Sequence, residues 1–176
     1  KLIMFLPLIQ KRRSIRKYQN KPIEQEKIDI ITEAMLRAPS SRGMNPWEFI
    51  LVDQPQTIDY LSKTKKHGSS FLKNAVLAIV ILGDTDKSDM WIEDTSIVAT
   101  YIQLAVEDIG LSSCWIQIRN RPHDEKQSGN DYIAEHLKIP HPFKVSSIIA
   151  IGYPDEQKNP HKKEDLQREK LHYNQF

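Results

Sequence analysis

An α/β or α+β sandwich around a single sheet is the fold class the sequence predicts. Three observations predict it. Short apolar runs alternate along the chain with amphipathic stretches of helical period, so helices and strands interleave. The 176 residues are 39% apolar and 27% charged, a composition that buries a core rather than staying disordered. The run Val76 to Leu82 is continuously apolar, as a strand covered on both faces must be. Residues 1–176 carry no repeat, low-complexity tract or linker and are expected to form one domain.

The elements follow in order. Leu2 to Ile9 is apolar but leads into Gln10-Lys11-Arg12-Arg13 rather than a small-residue cleavage site, so a buried N-terminal segment is expected, its helix starting near Pro7. Ile23 to Ala38 repeats apolar residues at Ile28, Ile31, Met35 and Ala38 and stops at Pro39, which predicts a helix. Trp47 to Val52 predicts a strand with Trp47 and Phe49 as packing residues. Gln54 to Lys66 predicts a surface helix with Ile58 and Leu61 inward, and Val76 to Leu82 the next strand. Met90 to Asp108 predicts the longest helix, stopped by Gly110 and apolar on more than one face, as expected where a second subunit covers it. A strand at Ser113 to Ile118, a polar loop over 119–130, a short helix at Asp131 to Lys138, a strand at Ser146 to Tyr153 and a polar tail complete the chain.

Several function classes are excluded. The 25 basic and 23 acidic residues leave a net charge of +2, too little to imply nucleic acid. No apolar run is long enough to span a bilayer. A single cysteine, Cys114, permits no intrachain disulfide or cysteine zinc site and suggests a reducing, cytoplasmic setting. The six glycines form neither a G-x-G-x-x-G turn nor a P-loop, and no H-E-x-x-H or G-x-S-x-G motif is present. Any phosphate must therefore be held largely by side chains.

Residues 11–17 supply five basic side chains. In an extended chain Arg12, Ser14 and Arg16 share one face and Arg13 takes the other. Two guanidiniums flanking a hydroxyl suit a phosphate. The same spacing also accommodates a solvated charge run between two elements. After Pro39, Ser40 and Ser41 are turn formers, and Asn45 offers amide donors and an acceptor.

Lys11-Arg12-Arg13-Ser14-Ile15-Arg16-Lys17-Tyr18 and Ala38-Pro39-Ser40-Ser41-Arg42-Gly43-Met44-Asn45-Pro46-Trp47-Glu48-Phe49 resemble the flavin-binding signature of the FMN-dependent nitroreductase family. Gly110-Leu111-Ser112-Ser113-Cys114-Trp115-Ile116-Gln117 and Ile149-Ala150-Ile151-Gly152-Tyr153-Pro154 are similar to two further stretches of it. The resemblance implies an α+β, three-layer α/β/α sandwich with a central mixed, mainly antiparallel sheet and an obligate homodimer. It implies FMN as cofactor, NADH or NADPH as reductant, and nitroaromatic or quinone acceptors reduced in a ping-pong sequence. Arg12 and Ser14 would hold the phosphate, and Arg16 would face N1 and the C2 oxygen, with Arg13 nearby. Pro39, Ser40, Ser41 and Asn45 would approach the flavin of the other subunit. The stretch Trp115, Ile116 and Gln117 would run beside the ring, a backbone N–H near Ile116 or Gln117 reaching N5. Lys162 or Lys163 would complete the phosphate site. The family often carries Asn at Gly43 and Gln at Asn45, so one side-chain contact is removed or moved. No metal and no acid–base catalytic residue is implied. His67 and His123 stand in polar loops, at the substrate mouth or simply on the surface. A non-catalytic flavin or nucleotide module, as sensor or store, would carry the same cradle. A nucleic-acid binder would use the basic run and tail.

Overall fold

The computed structural model describes residues 5–176; Leu2 to Met4, part of the apolar N-terminal stretch, lie outside them. Nine regular elements run in the order α1 (Phe5–Lys11), α2 (Gln25–Leu36), β1 (Trp47–Val52), α3 (Pro55–Ser62), β2 (Leu77–Asp84), α4 (Trp91–Asp108), β3 (Ser112–Gln117), α5 (Gly129–Leu137) and β4 (Phe143–Gly152). Short 3-10 turns cover Ser41–Gly43, Ser70–Asn74, Lys163–Asp165 and Arg168–Lys170.

The strands form one sheet in the order β1-β2-β4-β3, every neighbouring pair antiparallel. β2 and β3, both antiparallel to the strand between them, therefore run the same way and are joined across it by α4. A single parallel bridge between Ser14 and Ser113 lays the N-terminal segment along the outer edge of β3, while the four strands themselves are antiparallel throughout. Pleating sends alternate side chains to opposite faces. Leu77, Ile79, Ile81, Ile149 and Ile151 pack against Ile31 and Met35 of α2 and Val98, Ile102 and Val106 of α4. Ala78, Val80, Leu82, Ile148 and Ala150 pack against Ile58 and Leu61 of α3, Leu72, and Ile133 of α5. Three layers result. Coverage on both faces is why β2 is apolar from Leu77 to Leu82 even though its neighbours are antiparallel.

Two expectations need correction. The described part of the N-terminal segment is not buried: Phe5, Leu6 and Ile9 of α1 are exposed, because nothing else among the described residues covers them. With Ile30 and Leu36 of α2 and Ile97 and Tyr101 of α4 they leave an apolar helical face in contact with solvent. A groove of about 500 Å³ on this face is lined by Phe5, Leu8, Ala34, Tyr101 and Leu104. The helix expected to reach Lys66 ends at Ser62. The next residues turn their hydroxyls on its carbonyls: Ser62 Oγ donates to Asp59 O at 2.7 Å and Thr64 Oγ1 to Leu61 O at 2.7 Å.

Candidate functional site

Residues 12–18 lie against the outer edge of the sheet, the Ile15 N–H donating to Ser113 O at 3.1 Å. Two buried side chains, Ile15 and Tyr18, fix the segment to the core. The Tyr18 hydroxyl donates to Ile15 O at 2.5 Å, and burial raises its pKa, so it stays a protonated donor. Its ring lies where a Cβ on Gly152 would come within 2.9 Å of it. With Ile15 committed inward, the pleat leaves Arg12 and Ser14 half-buried and Arg16 exposed at the edge. Arg13 goes elsewhere, Nη1 donating to the Asn159 carbonyl. The Arg16 guanidinium stands 5.6 Å from the Phe71 ring centroid, and its backbone N–H donates to Glu156 Oε1 at 2.6 Å.

The tail folds back over this segment. Asp155 N–H donates to Lys17 O at 2.9 Å, and Gln19 N–H to Tyr153 O at 2.9 Å. Lys158 Nζ donates to Ser14 O at 2.7 Å and lies 3.5 Å from Glu156 Oε1. Lys162 and Lys163 are exposed further along the tail, Lys163 opening a 3-10 turn. The tail cation seen against the segment is thus Lys158, which spacing alone did not single out; its place depends on the fold-back at Gly152-Tyr153-Pro154. Burial pushes the Cys114 thiol up, while Arg16, Lys158, a hydrogen bond with Ser14, and Arg12 pull the other way. Lys158 thus sits on the segment at Ser14, and Arg12, Ser14, Arg16 and Lys158 all act on the buried Cys114 thiol.

β3 supplies the neighbouring wall. The Ser113 carbonyl points outward to Ile15, and along a strand every second residue repeats that direction. Trp115 and Gln117 hence turn their N–H groups to the free edge, whereas Ile116, paired with Ile148, turns its own toward β4. Of the two amides expected to reach a ligand, the pleat selects that of Gln117. The Ile116 side chain is buried in the core. The Gln117 carboxamide is engaged within the strand end, accepting from Trp115 Nε1 at 3.0 Å and donating to Arg119 O at 3.0 Å.

The segment Pro39–Asn45 is built with unusual backbone. Arg42 (φ 53°), Gly43 (φ 64°) and Asn45 (φ 46°) are left-handed, a region suited to Gly and Asn. Gly43 therefore keeps the backbone that Asn, common here in the family it resembles, would also tolerate. Ser40 Oγ donates to Asn45 Oδ1 at 2.7 Å and accepts from Asn45 N–H at 2.8 Å, so these two side chains brace each other. The Ser41 N–H donates to Oδ1 of Asp94 at 2.7 Å, and Arg42 pairs with Asp89 at 2.6 Å. Asp94 is buried at the start of α4, and its Oδ2 has no hydrogen-bond partner among the described residues. Sequence reasoning missed Asp94, whose role needs a contact 53 residues away.

The structure lays Arg12, Ser14 and Arg16 along the edge of the sheet formed by β3, which carries Trp115 and Gln117, and puts Pro39, Ser40, Ser41 and Asn45 at the entry to β1, the opposite edge. The turn enters β1, at one edge of the sheet, and the cradle flanks β3, at the other. Three strand spacings, about 14 Å, separate those edges. The cradle suits a phosphomonoester: guanidiniums for bidentate bonds, a hydroxyl, and an ammonium, opposed locally by Glu156. The outward amides of β3 suit an acceptor atom on whatever the phosphate is attached to.

Known proteins resemble this chain in sequence and in fold. The nitroreductase family model matches residues 9–68 and 62–153. A protein of Archaeoglobus fulgidus named putative NADH dehydrogenase/NAD(P)H nitroreductase is 34% identical over 164 residues, 91% of each chain. The structure of an FMN-dependent nitroreductase from Clostridium difficile R20291 superposes with a TM-score of 0.96 at 50% identity, covering 97% of this chain and 99% of that one. A putative NADH dehydrogenase/NAD(P)H nitroreductase from Parabacteroides distasonis superposes with a TM-score of 0.90 at 32% identity, covering 99% and 100%. With its family model, its helical layers and its edge-bound basic segment all in agreement, this chain belongs to the nitroreductase family.

Proposed function

We propose that the chain is an FMN-dependent NAD(P)H oxidoreductase that works as a homodimer and reduces nitroaromatic or quinone acceptors. The observation that carries the reading is the convergence of Arg12, Ser14, Arg16 and Lys158 beside the outward amides of β3. FMN supplies two-electron chemistry, accepting hydride from a nicotinamide and passing electrons to the acceptor.

The chain's own part is binding and tuning. Arg12, Ser14 and Lys158 hold the phosphate, and Lys162 or Lys163 can add to it from the exposed tail. Arg16 would offer a fixed positive charge to the flavin ring. The Gln117 N–H, on the free edge of β3, would donate to it. No side chain has to move a proton for hydride to pass. The reductant and then the acceptor occupy the same cleft, which is the basis for a ping-pong order.

Two features support the dimer. The turn Pro39–Asn45 is across the sheet from the cradle, so it serves a flavin only on another subunit. The exposed apolar face of α1, α2 and α4 offers the surface for that association.

The test is direct. Purified protein should be yellow, sediment as a dimer, and bleach anaerobically with NADH or NADPH; colour should return on adding a nitroaromatic or a quinone. The Arg16→Ala variant should bind FMN about tenfold more weakly, the size of one charge-assisted bond, or show a lower flavin potential. Colourless monomer that takes up no added FMN would overturn the reading. Bleaching without return to any acceptor would favour a flavin-binding sensor.

A further inference from the structure

Next to the cradle, the turn at 63–69 and the loop at 119–128 enclose a second basic pocket of about 780 Å³. Lys63, Lys65, Lys66 and Lys126 line it, with Asp124 and Glu125 as its acids. Lys63 is already paired with Asp59 at 2.7 Å. Asp124 is committed to its own backbone: Oδ1 accepts from the N–H groups of Lys126 at 2.7 Å and Gln127 at 2.8 Å, which also hold its carboxyl below the usual range. Lys65, Lys66 and Lys126, with Arg121 beside Lys65, are in excess over these acids. The pKa of Lys65 is lowered chiefly by desolvation, with Arg121 adding to it and Cys114 opposing it. Such crowding is unfavourable until an anion enters.

The walls are held in place. His123 Nδ1 lies 3.0 Å from Thr64 O and joins the turn to the loop. Four rings stack in the order His136, Tyr60, Tyr132, His123, with centroids 3.7, 4.4 and 3.9 Å apart. Pro122 bridges to Ser128 across the loop, and the Gly129 N–H donates to Arg121 O at 2.8 Å. Lysines on a braced frame lose less entropy on binding than lysines on a free loop. The pocket also begins where the flavin site ends. The loop leaves β3 directly after Gln117, and the turn leads into Phe71, which meets Arg16.

We propose that this pocket binds the dianionic 2′-phosphate of NADPH, anchored by Lys65, Lys66 and Lys126, and that the enzyme therefore prefers NADPH to NADH. The proposal rests on the oxidoreductase reading above. A compact dianion matches the surplus cations, and NADPH differs from NADH in that one group alone.

The experiment uses the flavin-loaded dimer. KM for NADPH and for NADH is measured in the parent, Lys65→Gln and Lys66→Gln/Lys126→Gln proteins, and adenosine 2′,5′-bisphosphate and 5′-AMP are titrated calorimetrically. The expected result is a KM for NADPH raised about tenfold in each variant, with the value for NADH little changed. The bisphosphate should bind the parent more tightly than 5′-AMP does and lose that advantage in the variants. Equal changes for both dinucleotides, no change, or a change confined to an anionic acceptor such as 4-nitrobenzoate would overturn the proposal. Protein that never takes up FMN would instead sink the oxidoreductase reading, while the bisphosphate titration would still report on the pocket.

Discussion

Glu24 and Tyr153 show what a single contact does at the residue scale. The Tyr153 hydroxyl donates to Glu24 Oε2 at 2.5 Å, with Lys21 3.5 Å from the same carboxylate. The hydrogen bond from Tyr153, ahead of Lys21, lowers the Glu24 pKa from 4.5 to about 2. A carboxyl whose folded pKa is depressed adds stability above its ordinary value and loses it as pH falls. Here that loss runs from about 4.5 down to about 2. Tyr153→Phe should move the Glu24 titration midpoint upward toward the ordinary carboxylate value, read by NMR of the side-chain carboxyl. An unmoved midpoint would show that the backbone hydrogen bond and Lys21 set it without Tyr153. The pair ties the start of α2 to the point where the tail leaves β4. It joins residues 129 apart, so nothing in local sequence announces it. Lys158 was hidden for the same reason. Its neighbours Lys162 and Lys163 are as basic, and only the fold-back of residues 153–158 distinguishes it.

At the scale of elements, hydrophobic period made most of the architecture readable. β1 ends where its pattern ends, and α4 matches its apolar stretch to within a residue. What remained hidden was set by polar contacts between distant segments. β4 starts at Phe143 rather than Ser146, because β2 extends to Asp84 beside it and the Val145 N–H finds Asn130 Oδ1 at 2.8 Å. The turn Pro39–Asn45 was legible as a turn, but not its brace. Asp94 on α4 holds the Ser41 N–H from below the core surface. Asp94→Ala should leave that N–H unpaired and cost about 1–3 kcal/mol of stability. Chemical denaturation measures it, and Asp94→Asn, which keeps an acceptor, should recover part of the loss. Equal losses in the two variants would assign the effect to charge rather than to the hydrogen bond.

On the scale of the whole molecule, periodicity grouped residues of the candidate site but did not place them across the sheet. Arg12, Ser14 and Arg16 could be grouped from the alternation of an extended chain, and Gln117 joins them through the pleat of β3. That Ser40 and Asn45 lie at the opposite edge depends on the strand order β1-β2-β4-β3, which one-dimensional periodicity does not contain. The exposed apolar side chains of α1, α2 and α4 belong to the same scale, since their burial requires a surface outside the protomer. The division of the site across the sheet has a genetic corollary. Two damaged alleles, one carrying Arg16→Ala and the other Asn45→Ala, should complement each other. Under the proposed dimer, both lesions of a hybrid pair would fall on one of the two clefts and leave the other intact. Co-refolded mixtures should regain up to about half the parental turnover per hybrid, an inheritance pattern a self-sufficient chain could not produce.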